Sequence, residues 1–272
     1  RRSKRASPMS DTGQVTSTAA EIYDEFFVPA LFSAWVPQLV EAAALEPGMR
    51  AVDVACGTGA FAIEAAKVVS PGGTVAGIDL NPGMLAVARR KAPELDWRQA
   101  PAESLPFEPN SFDAVVSQFG LMFFDDKPAA IAEMWRVLRP GGRLVLAVWA
   151  SLERSRGYAT LESLIRRLFG ASAAASLSAP FALGEPEALE ALLAAAGVAD
   201  AQIQHAFAEA RFPSLRARMH TEIRGWTLAD QIDDAQFETL VREAERELDP
   251  FVMPDGTVRF EQPALITSAR KP

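Results

Sequence analysis

Residues 52–66, VDVACGTGAFAIEAA, read as an apolar strand that enters a glycine turn and leaves it as a helix. An apolar run of this kind belongs to a strand buried on both faces, as in a parallel sheet. The alternation continues to residue 149. TVAGIDL (74–80) leads into a helix from Pro82, and LDWRQA (95–100), FDAVVSQ (112–118), a further helix and RLVLAVW (143–149) follow. In that last helix Ile131, Met134, Trp135 and Leu138 fall at i, i+3, i+4 and i+7, an apolar stripe to lay on a sheet. SPGGTVAGID from Ser70 and RPGGRLVLAV from Arg139 each stop a helix at proline, turn on two glycines and start a strand. The pattern predicts an α/β fold, a doubly wound and mostly parallel sheet covered by helices on both faces.

Within the opening stretch Gly57, Gly59 and Ala62 satisfy G-x-G-x-x-G/A, and Asp79 closes the second strand about twenty residues on. Two ligand classes fit such a turn. A dinucleotide would rest its pyrophosphate on the helix N-terminus, which implies an NAD(P)-dependent oxidoreductase. Asp53, fixed a few residues ahead of the first glycine, opposes that anion by about 1–4 kcal/mol at ~4 Å. A nucleoside carrying cationic amino and sulfonium groups gains from the same acid, and S-adenosylmethionine has that charge distribution. Asp79 suits the ribose, because a carboxylate offers two acceptor oxygens and no donor. The glycines then serve close approach of backbone to ligand.

VDVACGTG, GIDLNPGML, AESLPFEPNSFDAVVSQFGLMFF and EMWRVLRPGGRL stand in an order and spacing that resembles class I S-adenosylmethionine-dependent methyltransferases, most closely the ubiquinone/menaquinone-type C-methyltransferases. The resemblance runs from about Tyr23 to Trp149; beyond it only the layout matches. It implies a Rossmann-like methyltransferase fold, S-adenosylmethionine as cofactor with S-adenosylhomocysteine as product, and a small-molecule methyl acceptor, partly apolar or aromatic. It also implies that Asp53 and the Gly57–Thr58–Gly59 turn hold the methionine end and Asp79 the ribose. Leu80 and Met84 would cover the adenine face and Ala102 and Glu103 its edge, with Tyr23, Phe27, Ala55, Ser117 and Gln118 completing the cofactor contacts. Pro101 stands where the family usually has Asp, which removes a partner for the adenine amino group. A scaffold that binds the cofactor without turnover is the non-enzymatic alternative.

The remaining chain is read more coarsely. Residues 1–8 are expected to be a non-native leader remnant or disordered ahead of Met9, and 9–48 to form helices bent near Pro29 and Pro37. Residues 49–212 and 250–272 form the α/β core, and 213–249 a helical lid inserted before the last strand, TVRFEQPALITSA. Leu161, Leu164, Ile165 and Leu168 mark a helix, GASAAASLSAP after it reads as loop, and Leu189, Leu192, Leu193 and Ala196 mark another helix. In AQIQHAFAEARF, His205 alternates with Ile203 and Phe207, which places it on an apolar face as a core histidine. QFGLMFF starts where the fourth strand ends, so Phe119, Met122 and Phe123 are candidates to line the substrate pocket.

In the insertion Arg216, His220 and Arg224 share one helix face, beside a stripe of Leu215, Met219, Ile223 and Trp226. The bland reading is a solvated face. The sharper one makes Arg216 and Arg224 a ridge for an anionic or phenolic acceptor and His220 the catalytic base, if one is needed.

Composition excludes other classes. With 272 residues, 49% hydrophobic and 23% charged, the chain can bury the core of one large domain. No run approaches the ~18 apolar residues of a membrane span, and the basic opening RRSKR lacks the apolar segment of a signal peptide, so a cytoplasmic protein is expected. A formal charge of −8, or −12 without Arg1, Arg2, Lys4 and Arg5, argues against nucleic acid as partner. One cysteine, Cys56, and two histidines leave little for a metal site, and Cys56 is expected to pack under the cofactor.

Overall fold

The computed structural model describes residues 17–224, 228 and 231–272. The expectations for the leader up to Met9, and for Trp226, lie outside that range. Seven strands form one sheet in the order β3-β2-β1-β4-β5-β7-β6. They are β1 (Arg50–Val54), β2 (Thr74–Asp79), β3 (Asp96–Gln99), β4 (Phe112–Gln118), β5 (Leu138–Trp149), β6 (Gln202–Phe212) and β7 (Val258–Arg270). β1 to β5 pair in parallel, and β7 runs antiparallel between β5 and β6.

Chain order moves outward from β1 through β2 to β3, then returns to lay β4 on the other side of β1. The connections on either side of that seam diverge, which opens a crevice at the carboxyl ends of β1 and β4. Asp53 is paired in register with Gly77 of β2 on one side and Val116 of β4 on the other, so the backbone that carries it is held from both flanks.

Helices cover both faces. α3 (Ala60–Val69) buries Phe61, Ala62, Ala65 and Val69 in one core cluster, and α5 (Lys127–Val137) buries Ala130, Ile131, Met134 and Val137 in the other. α4 (Pro82–Lys91) starts from Asn81, whose side-chain oxygen accepts from the N–H groups of Gly83 and Met84. Ahead of the sheet, α1 (Ser17–Ile22) continues into a wide, π-type turn over Tyr23–Phe32, a 3-10 turn over Ser33–Trp35 and α2 (Val36–Ala42). Pro29 sits inside the π segment and Pro37 in the first turn of α2, where a missing N–H is tolerated.

After β5 come α6 (Arg156–Phe169), α7 (Ala171–Ser178) and α8 (Pro186–Ala195), and between β6 and β7 lie α9 (Leu215–Arg224) and α10 (Asp234–Glu247). Two expectations need correction. The small-residue stretch after Phe169 is the helix α7, not a loop: once Gly170 has turned the chain at φ 89°, a run of alanines has high helix propensity. His205 is exposed, not a core histidine. β6 is the edge strand and turns its even positions, Ala206, Ala210 and Phe212, to the core, which leaves His205 and Phe207 (52% exposed) outside.

Candidate functional site

The crevice at the β1–β4 seam holds a recess walled by Tyr23, Phe32, Asp53, Gly57, Thr58 and Gln118, among others. Asp53 is 1% exposed, and among the described residues neither carboxyl oxygen has a hydrogen-bond partner. The N–H of Ala62 in the first turn of α3 offers it partial compensation, but no bond of normal geometry closes. Burial, reinforced by nearby Asp79, pushes its carboxyl up to about 8. Thr58 Oγ1 and Gln118 Oε1 are also buried without partners; Gln118 Nε2 donates to the Phe32 carbonyl at 2.9 Å, which fixes the amide oxygen's direction. Unpartnered buried acceptors cost about 1–3 kcal/mol each unless something else satisfies them. A cationic amino group supplies the donors they lack.

The turn itself is built from close contacts. At Gly59, with φ +85°, a Cβ would lie 2.6 Å from the Trp97 indole, and at Gly77 one would lie 2.3 Å from the same ring. These two glycines admit Trp97 of β3 beneath the turn. At Gly59 the close neighbour is thus Trp97, whereas a Cβ at Gly57 meets only the Tyr23 ring at 3.7 Å beside the recess. No side chain caps α3, so its first N–H groups are open to a carboxylate.

Asp79 stands one hydrogen bond away. Its Oδ2 accepts from the Gly57 N–H and its Oδ1 from the Asn81 N–H, both at 2.8 Å. Burial raises its carboxyl and these N–H groups lower it. Each oxygen keeps a lone pair for a diol. Leu80 is 45% exposed beside it, Met84 packs with Ala20 and Tyr23, and Ala102 is buried. Glu103 accepts from the Asp126 N–H at 3.3 Å. This ledge adjoins the recess without lining it. Ala55 and Cys56 do line it; burial pushes the Cys56 thiol up, so it is no activated nucleophile. Tyr23 lines it with a phenol that burial and the two aspartates keep neutral.

Other candidates fall elsewhere. Ser117 is buried under Gly120, and Phe27 lines a different cavity. Phe119 belongs to the core, stacked on Trp149 with ring centroids 3.6 Å apart, and neither it nor Met122 nor exposed Phe123 lines either recess. Arg216 is ion-paired with Glu238 and lies 5.7 Å over the Phe237 ring. Arg224 reaches Asp234 at 2.5 Å and the Ile232 carbonyl at 2.9 Å. Both therefore face α10 and line neither recess. His220 is exposed, edge-on to Phe26 at 6.2 Å, and lines neither recess.

A second, partly open pocket is walled by Phe27, Leu31, Phe32, Trp149, Tyr158 and Glu222, together with residues of α7 and the turn after it. Phe32 is common to both. Sequence reasoning missed Phe32, Tyr158 and Glu222. One signal was present: Arg218 and Glu222 occupy the i+3 and i+7 positions of the stripe that begins at Leu215, so charges stand where apolar residues belong. Among the described residues no group of three His, Cys, Asp or Glu is placed to hold a metal ion, and no helix is long and apolar enough to cross a membrane.

Comparison with known proteins places this arrangement. Residues 52–146 match the family described as a methyltransferase domain. The demethylmenaquinone methyltransferase of Renibacterium salmoninarum is 42% identical over 113 residues, 42% of this chain and 46% of that protein. The ubiquinone/menaquinone biosynthesis C-methyltransferase of Shewanella halifaxensis is 40% identical over 118 residues, 41% of this chain and 47% of that protein. The matched chain spans about half the length of these relatives. In fold it is similar to the YcgJ protein of Bacillus subtilis, with TM-score 0.56 at 24% identity over 87% of this chain and 98% of that one. It is also similar to phosphoethanolamine N-methyltransferase 2 of Haemonchus contortus in complex with S-adenosyl-L-methionine, with TM-score 0.59 at 20% identity over 94% of this chain and 58% of that one. The segment that carries Asp53, the glycine turn, Asp79 and the β1–β4 seam matches the methyltransferase-domain family and is similar to the corresponding part of these C-methyltransferases.

Proposed function

We propose that the protein is an S-adenosylmethionine-dependent methyltransferase acting on a small, partly apolar acceptor. The observation that carries this reading is the set of buried, unpartnered acceptors on one wall: both Asp53 oxygens and Gln118 Oε1. Asp53 and Gln118 would hold the amino group of the methionine end, the open N–H groups of α3 its carboxylate, and Asp79 the ribose hydroxyls. The bound cofactor supplies an electrophilic methyl group on a sulfonium. The chain's part is to hold acceptor and methyl at about 3–3.5 Å in line and to keep water out.

Against the oxidoreductase alternative stands the lining of the recess, in which no basic side chain is present to meet a pyrophosphate. The absence of nucleic acid from the partner set belongs to the same proposal, supported by the formal charge of −8. Calorimetry with S-adenosylmethionine, S-adenosylhomocysteine and NADH tests the reading. The first two are expected to bind and the dinucleotide not to; tight NADH binding would overturn it.

A further inference from the structure

The polar group of the second cavity is Glu222, and it is held in an unusual setting. It is 4% exposed, and one oxygen, Oε1, accepts from the Tyr158 hydroxyl at 2.6 Å. The other has no hydrogen-bond partner among the described residues, while the side chain forms part of the cavity wall. One helical turn away on α9, Arg218 is 0% exposed. Its Nη2 donates to the Gly157 carbonyl at 2.8 Å, its Nε and Nη1 have no partner, and its guanidinium lies 4.3 Å over the Phe260 ring.

A buried Arg and Glu kept only for stability would close on each other, since an uncompensated buried charge is strongly destabilising. These two close no ion pair. Arg218 instead supplies a positive field to a carboxyl that forms part of the cavity wall. Burial raises that carboxyl, and Arg218 and the Tyr158 hydroxyl, the charged and titratable groups acting on it, lower it in part.

We propose that this cavity is the acceptor site and that Glu222 is its general base, taking the proton of an aromatic or enolic hydroxyl whose ring packs among Phe27, Phe32 and Trp149. The proposal rests on the methyltransferase reading. In the step, the acceptor O–H bond breaks and its proton goes to Glu222. The electron pair left on the oxygen, or on the carbon conjugated with it, forms the bond to the methyl carbon. The sulfur–methyl bond breaks with its pair left on sulfur, which becomes a neutral thioether. Phe32, the wall shared with the donor recess, marks where the acceptor's reacting atom must lie.

The test compares wild type with Glu222→Gln, which keeps the volume and an acceptor oxygen but cannot take the proton, and with Tyr158→Phe. Calorimetry of p-cresol against 4-methylanisole reads the cavity alone, and labelled methyl transfer to p-cresol, catechol and 2-naphthol reads the reaction. Wild type is expected to bind p-cresol at least about tenfold tighter than its ether. Glu222→Gln is expected to keep S-adenosylmethionine affinity and KM within a few-fold and to lose about 10²–10⁴ in kcat, together with the rising limb of the pH profile. Tyr158→Phe is expected to shift that limb without abolishing turnover. Equal binding of phenol and ether, wild-type kcat in Glu222→Gln, or no transfer with both ligands bound would overturn the assignment. Failure of S-adenosylmethionine itself to bind would overturn the methyltransferase reading instead, while phenol binding still reports on the cavity.

Discussion

At neutral pH an acid held at about 8 is mostly protonated, so Asp53 meets its ligand as a neutral carboxyl and must give up a proton to a cation. Affinity for S-adenosylmethionine is therefore expected to rise between pH 5.5 and 7, approaching tenfold per unit, with proton uptake by the buffer that calorimetry in two buffers detects. An affinity flat over that window would remove Asp53 from the site. Without ligand the opposite slope is expected. Because the folded value lies above the unfolded one, the contribution of Asp53 is fully present below about pH 3.9 and is lost as pH rises through 8. Asp53→Asn is expected to raise Tm relative to wild type at pH 8, by the equivalent of a few kcal/mol, with the difference shrinking toward pH 5, and to abolish cofactor binding. Asp79→Ala leaves the Gly57 and Asn81 N–H groups without their acceptor, so it is expected to lower stability by about 1–3 kcal/mol and cofactor affinity by more than tenfold in the same variant.

Between elements, the decisive contact is β3 against the turn. Gly59→Ala drives a methyl into Trp97 at a left-handed backbone position and is expected to cost about 2–4 kcal/mol by thermal melting, whereas pairing it with Trp97→Leu recovers part of the loss. The α9–α10 contact is of a different kind. Arg216 and Arg224 pair with exposed acids, so replacing both by Gln is expected to lower Tm by no more than a few degrees and to leave kcat and acceptor KM unchanged. Much of this architecture was legible because it is local. Strand periodicity, the glycine turn and the acids at 53 and 79 all fix themselves within a few residues of backbone. The surroundings of His205, Phe119 and Arg216 were not legible because they depend on partners far along the chain: an edge position in the sheet, a stack on Trp149 and a facing helix. The second cavity was illegible for the same reason, since its walls come from the π segment, β5, α6, α7 and α9.

Taken whole, the molecule surrounds the β1–β4 crevice with segments that differ in how firmly they are tied. The central strands are paired on both sides, whereas the Tyr23–Phe32 segment reaches the recess from outside the sheet. Addition of S-adenosylmethionine is expected to slow amide exchange over residues 23–32 and 55–61 while leaving β6 and β7 unchanged; equal protection everywhere would mean global stabilisation in place of local closure. β7 has a further consequence. β6 touches the sheet only through β7, which arrives some forty-five residues later and must slot between it and β5. During synthesis on the ribosome, β6 and the two helices after it emerge with nothing to pair against. The nascent chain must shelter an unzipped sheet edge until its closing strand clears the exit tunnel, and a chaperone that binds such edges would have its window there.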